Sequence, residues 1–253
     1  MRIGVFDSGV GGLTVLTDLV YKNPFAHYFY VADTAHLPYG EKTPEQIIEY
    51  SRTITQYLIT AHQVSHIVIA CHTSSAIAYN TLVYEFPTVH FTSVINTTVQ
   101  ACITASHTGR IGVLATQASI SSHRHREIFF SYNPALTIIE QACPALVPLI
   151  EAPIIDQQAI IEAVNIYCAP LKTARVDTVL LGCTHYDIIR SYIQKYMGET
   201  CAVIGAQQQH NYTQKITPSI FYFATKDPQI FSNSAHTILP KELSPISTSL
   251  VIL

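Results

Sequence analysis

Asp177-Thr178-Val179-Leu180-Leu181-Gly182-Cys183-Thr184-His185-Tyr186 is an apolar run that stops abruptly on a glycine, a thiol and small polar residues. Residues 179–181 are too few for a helix and uniformly aliphatic, which fits a strand buried on both faces of a parallel sheet. Cys183 then stands at the strand's carboxyl end, where open α/β sheets collect their ligands. A buried cysteine acting as a small hydrophobe gives the same pattern, so the run settles the strand before it settles a role for the thiol.

A second stretch repeats the design. His66-Ile67-Val68-Ile69-Ala70 leads into Cys71-His72-Thr73-Ser74-Ser75, and the opening Ile3-Gly4-Val5-Phe6-Asp7-Ser8 is echoed by Ile111-Gly112-Val113-Leu114-Ala115-Thr116. The two echoes have nearly the same offset, as expected for two similar halves and not for a short-repeat solenoid. The expected fold class is α/β: two pseudo-symmetric open α/β domains with mostly parallel sheets and the active site in the cleft between them. Facing halves bring Cys71 and Cys183 to that cleft from opposite sides. Residues 1–95 with 207–253 are expected to form the first domain and 96–206 the second.

The chain has 253 residues, 48% hydrophobic and 12% charged, enough for two modest cores. A net charge of -3 without any basic block gives nucleic acid little to hold. The apolar run after Met1-Arg2 is too short for a signal peptide or a membrane span, so the expectation is a cytoplasmic protein with no membrane partner. Six cysteines stay reduced in such a compartment, which favours thiol chemistry over a disulfide framework.

Asp7-Ser8-Gly9-Val10-Gly11-Gly12 is a glycine-rich turn between strand and helix. It either presents backbone N–H groups to a phosphate or carboxylate or needs glycine for its backbone angles. It lacks the P-loop lysine and the dinucleotide spacing. In the loop from Asp33 to Thr43, Tyr39 and Gly40 offer a hydroxyl and a backbone amide to a small polar substrate, although an ordinary turn explains Pro38-Tyr39-Gly40 as well. A core-packing helix is expected over Pro44–His62, and residues 156–169 also read as helix.

His123-Arg124-His125-Arg126-Glu127 reads as the solvated face of a helix, because rings two residues apart diverge and do not converge on a metal. Glu151 closes an apolar stretch, either as a carboxyl whose pKa burial raises or as a surface acid. His185, two residues past Cys183, can stabilise a thiolate or exchange protons. The polar 207–210 stretch, Phe231 and the apolar 249–253 tail belong to a segment expected to return to the first domain.

Neither Cys71 nor Cys183 has another cysteine two or three positions away, which argues against redox exchange and zinc. A lone cysteine with histidine suits hydrolysis or acyl transfer. Two facing thiols suit proton transfer at carbon: a thiolate takes a proton from one face, a thiol returns one to the other, and the stereocentre inverts.

The combined motifs resemble the glutamate racemases, isomerases of the aspartate/glutamate racemase superfamily. They run in family order as 3–16, 32–42, 69–71, 142–144, 147–151 and 181–186. His185 after Gly182-Cys183-Thr184 looks like the glutamate-acting branch, where the aspartate branch usually carries glutamate. The resemblance implies interconversion of L- and D-glutamate without pyridoxal phosphate or metal, supplying D-glutamate for peptidoglycan and so for cell wall and cell shape. It implies Cys71 and Cys183 as the two acid/base residues, with Asp7, His185 and Glu151 assisting. Asp7, Ser8, Tyr39, Gly40, His72, Thr73, Thr184 and His185 fall where the family binds substrate. The family is often dimeric, which adds a homodimer to the expectations.

Two positions depart from the pattern. His72 stands where the family normally has asparagine, and Gly205-Ala206-Gln207 where it shows an Asp-Ser pair. The alternatives are a racemase-fold binding protein with weak or no turnover, and a racemase of relaxed preference that includes aspartate.

Overall fold

Short aliphatic strands alternate with amphipathic helices, and in the computed structural model they build two parallel sheets among the described residues. The structure describes residues 1–152, 154, 156–206, 218–244 and 247–253. The first half runs β1 (Arg2–Asp7), α1 (Leu13–Lys22), β2 (His27–Ala32), α2 (Pro44–His62), β3 (His66–Ile69), α3 (His72–Ile77), α4 (Tyr79–Glu85) and β4 (His90–Ser93). The second runs α5 (Val94–Ala105), β5 (Arg110–Ala115), α6 (Gln117–Ser121), α7 (Arg124–Tyr132), β6 (Thr137–Ala142), α8 (Leu146–Ile150), α9 (Gln157–Thr173), β7 (Thr178–Gly182), α10 (Arg190–Met197) and β8 (Ala202–Ile204). β9 (Ser219–Ala224), α11 (Pro228–Ile238) and β10 (Thr248–Leu250) follow.

Among the described residues the strands pair in the orders β10-β9-β2-β1-β3-β4 and β6-β5-β7-β8, parallel throughout. The echoed sequences therefore occupy equivalent places, β2-β1-β3-β4 in one sheet and β6-β5-β7-β8 in the other. Register completes the match: Phe6 pairs with Ile69 and Leu114 with Leu181, so each cysteine lies two residues beyond the strand partner of an equivalent position. Parallel sheets covered by helices bury both faces of their central strands. Every residue of β7 is buried accordingly.

The helix expected over 156–169 continues through Pro170 to Thr173. Proline in the last turn loses one backbone bond, but Leu171 beyond it is fully buried against β5. A Cβ on Gly112 would lie 2.5 Å from Leu171 Cδ2, so glycine makes room for that contact. Burying a leucine contributes roughly 2 to 3 kcal/mol, which offsets much of the proline cost.

β9 pairs with β2 from His27 to Ala32, and Phe231 on α11 stacks on Tyr30. The apolar tail packs only in part, with Val251 buried and Ile252 exposed. The polar 207–210 stretch lies outside the described residues, as does Gln207 of the Gly205-Ala206-Gln207 departure. Among the described residues no helix is long and apolar enough to cross a membrane.

Candidate active site

The carboxyl ends of β1, β3, β5 and β7 converge on one narrow cleft. Ser8, Tyr39, Gly40, Cys71, His72, Thr73, Cys183, Thr184 and His185 all line it, together with Leu37, Pro38, Thr116 and Val147. Its volume is about 20 Å³, room for about one water. A cavity of about 520 Å³ adjoins it, sharing Pro38, Gly40, Thr116 and Val147.

Cys71 caps α3, and Ser74 N–H donates to its sulfur at 3.5 Å. The thiol lies 4.0 Å from the Ser8 hydroxyl oxygen. Burial, then the nearby Asp7 carboxylate, pushes the Cys71 thiol up to about 12 despite the Ser74 N–H, so it rests protonated. Cys183 has a different neighbour: its sulfur is 3.8 Å from His185 Nδ1, and His185 Nε2 is 2.6 Å from Glu151 Oε1. Burial alone would lower the His185 pKa. Its bonds to Cys183 and Glu151 and the surrounding negative charge outweigh burial and hold it well above the ordinary imidazole value. Sulfur, imidazole and carboxylate thus form a chain in which a proton on His185 can stabilise a thiolate at Cys183.

Glu151 is reached because Tyr186, fully buried, donates its hydroxyl to the Cys143 carbonyl and ties down the segment leading into α8. Glu151 follows α8 directly, its side chain 28% exposed, so it is a carboxylate at the cleft margin and not a deeply buried acid.

Asp7 is 1% exposed and does not touch either sulfur by hydrogen bond. Its Oδ2 accepts from Gly12 N–H at 2.6 Å and from the Thr184 hydroxyl at 3.5 Å. The glycine-rich turn therefore does cradle a carboxylate, but the carboxylate is the protein's own. Close approach, not a left-handed backbone, explains its glycines: a Cβ on Gly11 would lie 2.5 Å from Thr184 Oγ1, and one on Gly12 2.6 Å from Asp7 Cβ.

Tyr39 is buried and donates its hydroxyl to Asp33 at 2.5 Å. Asp33 also accepts from Thr225 at 2.7 Å and pairs with His36 at 2.9 Å, which ties the cleft loop to the end of β9. Across the cleft, Thr73 Oγ1 is 3.0 Å from Thr116 Oγ1, which donates to Ser119 at 3.0 Å. Thr116 lines the cleft at the position that echoes Ser8, so the internal repeat carried a signal for it.

The His123 to Glu127 cluster corrects the expectation of a solvated face. His123 is exposed, but His125 is fully buried beneath β7, with its Nε2 3.2 Å from where a Cβ on Gly182 would be. Glycine at 182 makes room for that ring, which meets His72 in the cleft wall. Among the described residues no group of three or more His, Cys, Asp or Glu is set to hold a metal ion. At the second departure, Ala206 N–H donates to Asp187 at 3.0 Å.

Comparison with known proteins places this geometry. A model of the family described as Asp/Glu/Hydantoin racemase matches residues 20–208. A glutamate racemase of Sulfurovum sp. is 40% identical over 201 residues, 78% of this chain and 75% of that one. The crystal structure of a glutamate racemase isoform from Bacillus anthracis superposes with a TM-score of 0.90 at 28% identity, covering 100% of this chain and 97% of that one. The glutamate racemase of Francisella tularensis in complex with D-glutamate gives 0.86 at 27% identity, covering 99% and 97%.

Proposed function

The chain belongs to the Asp/Glu/hydantoin racemase family, and on that premise we propose that it is an isomerase interconverting L- and D-glutamate through two thiols, Cys71 and Cys183. The observation that carries this reading is the placement of both cysteines on one cleft, each two residues beyond an equivalent strand register. An amino acid held between them presents its Cα proton to one sulfur. The opposite sulfur then returns a proton to the other face of the planar carbanion, and inversion follows.

The two thiols have different neighbours. Cys183 works beside the His185 imidazolium, which stabilises its thiolate and is itself steadied by Glu151. Cys71, protonated at rest, is the donor in the direction where Cys183 removes the proton, and the roles exchange in the reverse direction. Asp7 acts through charge and through Thr184. Ser8, Tyr39, Gly40, His72, Thr73 and Thr184 hold the substrate's carboxylates and ammonium. Residues 1–95 with 207–253, and 96–206, are the two bodies that part to admit it. The product, D-glutamate, serves peptidoglycan precursors.

Incubation with L-glutamate and separately with D-glutamate in deuterated water tests this, following Cα deuterium and optical rotation. Exchange with inversion is expected, and Cys71→Ser and Cys183→Ser should each lose inversion. Folded wild-type protein that exchanges no Cα proton in either direction would overturn glutamate racemisation.

A further inference from the structure

One pair of buried side chains in the cleft wall joins a substrate-binding residue to a residue with no role in the chemistry above. His72 is 1% exposed and lines the cleft, and His125 on α7 is fully buried behind it. Their rings stack with centroids 5.5 Å apart and planes 18° apart, and His72 Nδ1 is 3.2 Å from His125 Nε2. The outer nitrogens, His72 Nε2 and His125 Nδ1, are both buried and have no hydrogen-bond partner among the described residues. Burial holds both rings neutral at pH 7, with His125 lowered to about 4 and His72 well below its ordinary value by burial and by the adjacent ring.

Two neutral rings share one N–H···N bond, and it has two arrangements. If His72 Nδ1–H donates, the second N–H of the pair is His125 Nδ1–H, sealed behind the cleft wall with nothing to accept it. If His125 Nε2–H donates, the spare N–H is His72 Nε2–H, on the ring that lines the cleft, and what stays sealed is a lone pair on His125 Nδ1. A sealed N–H without an acceptor is the rarer and costlier orphan. An N–H on a residue that lines the cleft, by contrast, can gain a partner when an anionic substrate binds there.

We infer that His125 is a positioning residue that holds His72 as its Nε2–H tautomer, so that His72 donates a hydrogen bond to a carboxylate of the bound amino acid. The inference rests on reading the cleft as an amino-acid site. It gives His72 a donor where the family pattern has the donor NH₂ of asparagine, and it gives the second imidazole behind the first a role. A Cβ at Gly182 would meet Ala115 Cβ at 2.9 Å and the Leu114 carbonyl oxygen at 3.0 Å as well as the His125 ring at 3.2 Å, so the glycine lets His125 pack closely under β7.

Long-range proton–nitrogen spectra of ¹⁵N-histidine-labelled wild-type protein read the tautomer without reference to turnover. The expected result is a protonated Nε2 and a bare, hydrogen-bonded Nδ1 at His72; a protonated Nδ1 overturns the inference. Steady-state kinetics on both glutamate enantiomers supply the second readout, for wild type, His125→Gln, His125→Leu and His72→Asn, and for His125→Leu combined with His72→Asn. His125→Leu should raise KM about ten-fold or more with a smaller change in kcat, the loss associated with a hydrogen bond to a charged group. His125→Gln, whose amide places a donor near the old Nε2, should recover most of it. In the His72→Asn background His125→Leu should add nothing. An equal loss in both backgrounds would show packing alone and overturn the inference. If His125→Leu does not fold, His125→Gln and the wild-type spectra still decide. Wild-type protein that racemises no glutamate would sink the function proposed above, while the nitrogen spectra would still decide the tautomer.

Discussion

Cys71 and Cys183 end equivalent strands of two similar sheets, and their neighbours differ almost completely. Cys183 has an imidazole at 3.8 Å backed by a carboxylate at 2.6 Å from that ring. Cys71 has a backbone N–H at 3.5 Å and a hydroxyl at 4.0 Å. The buried Asp7 ends β1, while the equivalent residue of β5 is Ala115. The halves also trade groups: Asp7 of the first accepts from Thr184 of the second, and Thr116 of the second meets Thr73 of the first. Duplicating a backbone copies the positions of reacting atoms, whereas their protonation depends on neighbours that each half supplies to the other.

That asymmetry can be broken by substitution. His185→Asn keeps a hydrogen-bonding side chain but removes the titrating ring, and kcat should fall about 10² to 10⁴-fold. Thr73→Val, at the equivalent place two residues past Cys71, should cost far less, and rates that fall equally would show the two sites to be alike. Gly11→Ala forces a methyl against Thr184 and should destabilise the fold by about 1 to 3 kcal/mol in urea titrations. Its counterpart Ser119→Ala loses only hydroxyl bonds, about 1 kcal/mol. Glu151→Gln retains a neutral partner for His185 and should lower kcat about ten-fold, narrowing the alkaline limb of the pH profile as the imidazolium loses its support.

The smallest effect isolates the Cys71 thiol. Its pKa of about 12 in the fold exceeds the ordinary 9.0, so an unfolded chain releases this proton first as pH rises. Stability present below pH 9 is therefore lost between pH 9 and 12. Relative to Cys71→Ser, the wild type should lose about 1 kcal/mol more between pH 8 and pH 10, measured from urea midpoints. Identical pH slopes would mean that Cys71 is not held protonated by its surroundings.

The duplicated sheets were legible because their cue is local: a short aliphatic run ending on a cysteine, twice, each preceded by an Ile-Gly-Val strand. The cleft residues at strand ends followed from that placement. His125 was not legible, since its ring reads as half of a solvated His-x-His unless one knows that β7 passes overhead with glycine at 182. Thr116 was visible in the echo of Ser8, yet a threonine carries no chemical signature of its own until Thr73 stands opposite it. The path of α9 through Pro170 depended on Leu171 finding Gly112, a contact about sixty residues distant in sequence.

β9 inserts beside β2 and carries β10 at the outer edge, so strands that follow the whole second sheet in the chain complete the sheet that holds β1. On a ribosome, β5 to β8 have all emerged and can close their own sheet while β2 still shows an unpaired edge. That edge carries Tyr28 and Tyr30, apolar enough to attract any passing strand. The nascent chain is therefore vulnerable to mispairing until β9 has joined β2, and a chain truncated between β8 and β9 would carry both cysteines and leave that edge of the first sheet open.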